Sequence, residues 1–311
     1  MTSGAPVLTV NAASIEFQNP VLLAAGTAAY GRELMGVMDL DALGGLVTKA
    51  VSPEPRKGAP APRVAEFEGG MINAVGLANP GLDAVKRDEL PWLAENVHAA
   101  RVIVNVVGSA IEDFAIVVET LSDMKTVDAF ELNVSCPNVK AGGMEFGADR
   151  HTLSALVARA RAATARPLFV KLSPTLPSIA DTARTAVDAG ADGITLVNTI
   201  PGLAIDVESR RPALGFGAGG VSGAGLLPVG VLAVWKVSRA VQVPLIGVGG
   251  VTRGTDAIQY LMAGASLVAM GTAALRDPRA PERVVEEMRS WCGAHGVAAV
   301  AELVGSLEWP S

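Results

Sequence analysis

Lysines and asparagines recur where short apolar runs of this 311-residue chain give way to polar or glycine residues. Lys49 follows Leu46-Val47-Thr48, and Asn105 lies within Val102–Gly108. Asn133 and Cys136 end Phe130–Cys136, Lys171 sits in Val170-Lys171-Leu172, and Asn198-Thr199 end Gly193–Thr199. Carboxylates are missing from these closing positions, and Glu131 lies earlier, inside its run. A metal site, or paired acids acting on a sugar, would need Asp or Glu there. This set suits an anionic ligand with amide-like groups. Lysine answers the charge, and each asparagine offers two donors and an acceptor to an imide-like ring edge.

Cys136 is the one thiol among these positions. Followed by Pro137-Asn138, it can act as a base or nucleophile if its pKa is lowered, and a buried inert thiol is the alternative. Cys292, beside Trp291, reads as packing, although the sequence leaves one disulfide between the two open. Lys49 and Lys171 are either solvated or carried to a binding site by the apolar runs before them. A strand-end lysine also serves Schiff-base lyases. Gly249-Gly250 and Gly271-Thr272 each follow an apolar run and precede a helical stretch, where bare backbone N–H groups bind phosphate; simple turns are the other reading.

The elements that must position these residues form a rhythm. Eight runs, Val21–Gly26, Gly45–Ala50, Val102–Gly108, Phe130–Cys136, Leu168–Ser173, Gly193–Thr199, Pro244–Gly250 and Leu267–Thr272, are apolar on consecutive positions. Strands covered on both faces read this way. Between them, residues 111–124, 152–163, 179–189, 227–241, 256–263 and 281–291 have helical apolar spacing. Strand then helix, repeated eight times, predicts parallel strands with right-handed crossovers. The expected fold is α/β, a (β/α)8 TIM barrel spanning residues 1–311 as a single domain; an open doubly wound sheet is the rival. A short N-terminal β-hairpin is expected from residues 7–10 and 14–17, with its turn at 11–13. Long loops at 52–80, 137–149 and 200–226 fall where such a barrel builds its active site.

Composition narrows the function classes. A net charge of -6 gives no footprint for nucleic acid and no polybasic signal for a membrane. Three scattered histidines and two distant cysteines give no metal-site spacing. The N-terminus lacks a basic start with an apolar core, and no uninterrupted apolar span appears, so a cytoplasmic setting is expected.

The motifs, taken in order, resemble the class 1 dihydroorotate dehydrogenases, and within them the catalytic subunit of subclass 1B. The resemblance runs from about Asn19 to Pro278. It rests on Asn19-Pro20-Val21, Val47-Thr48-Lys49, Asn73-Ala74-Val75-Gly76-Leu77-Ala78-Asn79-Pro80-Gly81 and, most specifically, Asn133-Val134-Ser135-Cys136-Pro137-Asn138-Val139-Lys140. Val170-Lys171-Leu172-Ser173-Pro174, Asn198-Thr199 and Gly219-Gly220-Val221-Ser222-Gly223 follow.

The resemblance implies oxidation of (S)-dihydroorotate to orotate in pyrimidine biosynthesis, with FMN as cofactor. It implies FMN contacts at Ala25, Lys49, Ala50, Asn105, Asn133, Lys171, Val197, Gly223, Gly249, Gly250, Gly271 and Thr272. The substrate would meet Lys49, Asn73, Ala74, Val75, Gly76, Leu77, Asn133, Asn198 and Thr199. Cys136 would be the catalytic base, and the loop 137–149, with Gly142-Gly143, a lid. The implied partners are a second copy of the chain and a subunit carrying FAD and a 2Fe–2S cluster, together a heterotetramer that passes electrons to NAD.

The chain departs from the family pattern at two places. Ala25 stands where many relatives have serine, leaving a backbone contact, and Gly215-Phe216-Gly217-Ala218 replaces a more basic stretch. Other readings are a class 1A fumarate-dependent homodimer, a related flavin pyrimidine reductase, a Schiff-base lyase centred on Lys171 and a non-catalytic binding barrel.

Overall fold

The computed structural model describes residues 5–135, 137–138 and 144–310, with backbone pairing alone at 137, 138 and 144. Eight parallel strands close into a barrel. They are β1 (Val21–Leu23), β2 (Gly45–Val47), β3 (Arg101–Val106), β4 (Ala129–Asn133), β5 (Leu168–Leu172), β6 (Gly193–Leu196), β7 (Leu245–Val248) and β8 (Leu267–Met270). Each pairs with its successor, and β8 closes on β1 through Val268↔Val21, Ala269↔Leu22 and Met270↔Leu23. Nearly every strand residue is buried, because side chains facing outward meet helices and those facing inward fill the barrel.

The helices around the barrel are α1 (Leu90–Asn96), α2 (Ile111–Leu121), α3 (Arg150–Ala162), α4 (Ile179–Asp188), α5 (Leu227–Ser238), α6 (Gly254–Ala263), α7 (Thr272–Arg276) and α8 (Ala280–Ala294). Helix α2 shows why they form. Phe114, Val117, Val118 and Leu121 make one buried stripe, and the Asp113 carboxylate accepts from the N–H groups of Ser109 and Ala110 at 2.7 and 3.1 Å. The strand–helix alternation fails once. Between β1 and β2 the chain makes only the short 3₁₀ turns Arg32–Leu34 and Leu40–Ala42. In their place Asp41 acts as a clamp: its carboxylate accepts from the backbone N–H groups of His98, Ala99 and Ala100 at 2.8–3.0 Å.

The N-terminal hairpin exists, but its strands are Val10–Ala12 and Ile15–Phe17, paired Ala12↔Ile15. The turn is therefore Ala13-Ser14, both at positive φ (49° and 64°), which overlaps the expected 11–13 only at Ala13. Val7 bridges instead to Ala299 near the C-terminus. At the barrel mouth a four-stranded antiparallel sheet, which the sequence did not announce, runs Ile200–Gly202, Gly219–Gly223, Gly70–Asn73, Val64–Phe67. It joins the loop after β2 to the loop after β6 through Gly220↔Asn73 and Ser222↔Met71. Cys292 is fully buried on α8, a free thiol, and burial pushes it up from the ordinary thiol range. No helix among the described residues is long and apolar enough to cross a membrane.

Candidate active site

The C-terminal ends of β3 to β6 bring together a connected polar group. Register places Asn105 opposite Glu131, Asn133 opposite Lys171, and Lys171 opposite Thr195. Asn105 donates from Nδ2 to Glu131 Oε1 at 2.7 Å, and Lys171 Nζ lies 4.0 Å from the same oxygen. Glu131 is only 1% exposed and Lys171 7%, so this charge pair is inside the barrel. Side chains two apart on a strand share a face. Glu131 therefore sits one step below Asn133 on the inner wall, a buried charge at the site that sequence reasoning did not single out. Its signal was the i, i+2 spacing to Asn133 inside an apolar run.

A second chain of bonds runs across the mouth. Asn198 donates from Nδ2 to Ser135 Oγ at 2.6 Å, and Ser135 Oγ donates to Asn133 Oδ1 at 2.9 Å. Asn198 Oδ1 also accepts from Thr199 N–H at 2.9 Å. The hydroxyl thus fixes which way each amide points. With its oxygen held by Ser135, Asn133 can offer only its NH2 group to a ligand. Ser135, too, was not picked out from sequence. Asn73 Nδ2 donates to Gly220 O at 3.3 Å across the mouth sheet, and a side chain at Gly220 would run into Thr199. The sheet therefore sets Asn73 beside Thr199. Gly76 and Leu77 continue in left-handed backbone, while Ala74 and Val75 are tied to Arg63 and Ala59. Leu77 packs on Ala50 and Val107. Lys49 is half-buried, its N–H bonded to Ala29 O at 2.8 Å.

The opposite quadrant is built from backbone. Gly249 and Gly250 have φ of 126° and 76°, conformations that L side chains avoid. Gly250 also lies against the backbone of Leu227 at the start of α5, where a Cβ would overlap. Tyr260, fully buried on α6, sets this loop: its ring fills the space left by Gly247 and Gly230, and its hydroxyl donates to Gly249 O at 2.8 Å. Thr272 Oγ1 donates to Ser222 Oγ at 2.7 Å, so the ends of β8 and of the mouth sheet, Gly223 included, meet here. Gly271 faces Ala24 and Thr27, next to Ala25. Val197 is buried after β6, its N–H on Val248 O at 3.0 Å.

Cys136 and the Gly142-Gly143 segment of the expected lid lie outside the described residues. Within that loop, Pro137–Asn138 pairs with Met144–Glu145. Glu145 reaches toward β5: burial raises its carboxyl above the usual range, and a hydrogen bond with Ser173 pulls it part of the way back.

The arrangement offers amide donors, an amide acceptor, an internal ammonium and bare backbone, as an anionic heterocycle with a phosphate-bearing companion would require. Known proteins resemble this chain over nearly its whole length. The sequence profile described as dihydroorotate dehydrogenase matches residues 7–291. The chain is 47% identical over 303 residues to a protein of Pelobacter propionicus named dihydroorotate dehydrogenase B (NAD(+)), catalytic subunit, covering 97% of this chain and 99% of that one. Proteins of the same name from Geotalea uraniireducens and Geobacter sulfurreducens are each 43% identical, over 304 residues (98% of this chain, 99% of that one) and 303 residues (97% and 99%). The chain belongs to the dihydroorotate dehydrogenase family.

Proposed function

We propose that this chain oxidises (S)-dihydroorotate to orotate for de novo pyrimidine synthesis, as an FMN-containing catalytic subunit of the NAD-dependent type, with residues 1–311 acting as one barrel unit. The observation that carries the reading is the pair of polar chains at the strand ends: Asn105–Glu131–Lys171, a hydrogen bond followed by an ion pair, and Asn133–Ser135–Asn198, held by two hydrogen bonds. They put a positive charge and oriented amides on one side of a mouth whose other side is glycine backbone.

The residues present fit FMN. Asn105 Oδ1 is a buried acceptor with no partner among the described residues, and a buried polar atom of this kind calls for a ligand donor. Gly249, Gly250, Gly271 and Thr272 would hold the phosphate, and Ala25, Ala50, Val197 and Gly223 would line the ring with their backbone or small side chains. Bound FMN would supply the hydride acceptor for C6 of the substrate.

The chain's own residues would do the rest. Lys49 would meet the substrate carboxylate. Asn73, Asn133, Asn198 and Thr199 would hold its imide edge, and the segment Ala74–Leu77 would close over it. Cys136 would take the proton from C5, so that loss of a proton and a hydride converts the C5–C6 single bond to a double bond. Lys171 would offset negative charge that accumulates beside it during oxidation. The loop 137–149 would keep water from Cys136. Lys171 is paired with Glu131 instead of standing beside another cation, an arrangement that gives no support to a Schiff-base lyase.

A visible spectrum of the purified chain, before and after anaerobic addition of dihydroorotate, tests the proposal. A flavin spectrum that bleaches supports it. A flavin that stays oxidised, with the partner subunit present, points to another substrate. A colourless chain that takes up no added FMN sinks the flavin reading. Sodium borohydride with substrate should trap no adduct on Lys171.

A further inference from the structure

Glu131 has no part in the chemistry derived above, yet its carboxylate is the point where two cofactor-side residues meet. It is fully inside the barrel, and Oε1 faces Asn105 Nδ2 at 2.7 Å and Lys171 Nζ at 4.0 Å. A carboxylate accepts and does not donate, so it forces the NH2 end of Asn105 toward itself. The amide oxygen is thereby left as a buried acceptor without a partner among the described residues. The same negative charge lies beside the ammonium of Lys171 in a site of low dielectric, where its influence on Lys171 is large.

We propose that Glu131 is a positioning residue that sets both the orientation of Asn105 and the share of the Lys171 charge that reaches the flavin. The inference rests on the FMN reading above. Two consequences follow from the charge balance. Neutralising Glu131 leaves the Lys171 charge uncompensated, so negative charge on a neighbouring ring is stabilised more strongly. It also gives Asn105 a partner that no longer dictates its amide orientation.

The test compares the wild-type chain, Glu131→Gln and Glu131→Asp, each titrated with FMN and then poised against redox dyes. Glu131→Gln should raise the midpoint potential of bound FMN by the equivalent of about tenfold in its redox equilibrium, ~30 mV for a two-electron couple. It should also weaken FMN binding several-fold. Glu131→Asp, which keeps the charge, should return most of both properties.

A role in packing alone would lower thermal stability and FMN affinity while leaving the potential of the flavin that remains bound unchanged; that result overturns the proposal. If Glu131→Gln takes up no FMN, Glu131→Asp decides: uptake at the wild-type potential supports a charge role, and failure of both variants overturns it. A wild-type chain that takes up no FMN overturns the flavin reading itself, an outcome distinct from either result with the variants.

Discussion

At the scale of single residues, the two cysteines part company. Cys292 is enclosed by the core and its thiol is pushed up, so iodoacetamide should leave it unmodified until the chain unfolds, as peptide mass mapping would record. Cys136 stands in the segment proposed to act on the substrate. Cys136→Ala should lower turnover by at least ~10²-fold, the scale of a lost general base, while FMN is retained. Unchanged turnover in a stopped-flow assay would remove Cys136 from the mechanism. The amides and lysines of the site were legible in sequence because they close apolar runs. Glu131 was not, since its side chain is buried within a run and shares the inner face only through strand alternation with Asn133. Ser135 hid for a different reason: its role is a bridge between β4 and β6, which sequence spacing cannot express.

At the scale of elements, the barrel strands and six of the helices fall within a few residues of their expected places. Burial on both faces writes a strand as an unbroken apolar run, and a helix as a stripe. The hairpin turn was misplaced because Ala13-Ser14 lacks the Gly or Asn that such turns favour. The first unit carries no long helix, and the Asp41 clamp serves there. Asp41→Ala should destabilise the chain by about 2 kcal/mol, because three backbone N–H groups lose a charged acceptor.

The clamp has a pH signature. Burial works to raise the Asp41 carboxyl, but the N–H groups of Ala100, Ala99 and His98 hold it below the ordinary range. Its contribution is therefore full above the unfolded value near ~3.9 and is lost as pH falls through the folded value. Urea unfolding followed downward from about pH 7 should show a shallower acid loss in Asp41→Ala than in the wild type.

Tyr260 makes the second element-scale case. Gly247→Ala would push a methyl into its ring and should cost about 1–3 kcal/mol. Tyr260→Phe should cost about 1 kcal/mol and loosen FMN, because the Gly249 carbonyl loses its donor. Calorimetry with and without FMN separates these effects, and an FMN affinity unchanged in Tyr260→Phe would disconnect the hydroxyl from the cofactor loop.

At the scale of the whole molecule, the cysteine count limits what the chain does alone. Two thiolates at distant positions are too few for a 2Fe–2S cluster, which takes four protein ligands. If electrons pass to NAD as proposed, the cluster and FAD must reside on another subunit. The catalytic chain alone should then reduce NAD far more slowly than the co-expressed pair, and fumarate should fail to reoxidise it. Rapid turnover with fumarate would favour the homodimeric alternative. The closed barrel was legible at this scale, because eight repeats leave few other ways to cover both faces. The mouth sheet was not: its strands are short, rich in glycine and far apart in sequence, and neither composition nor period reports a pairing of that kind.

That sheet also constrains how the protein can change. The segments 64–73 and 200–223 lie more than a hundred positions apart, yet one antiparallel ladder, from Gly220↔Asn73 to Gly223↔Gly70, joins them into a single cap. Neither half can drift without the other. A chimaera that borrows one loop from a relative inherits a mismatched register, whereas one that borrows both transplants the specificity of the mouth as a single cassette.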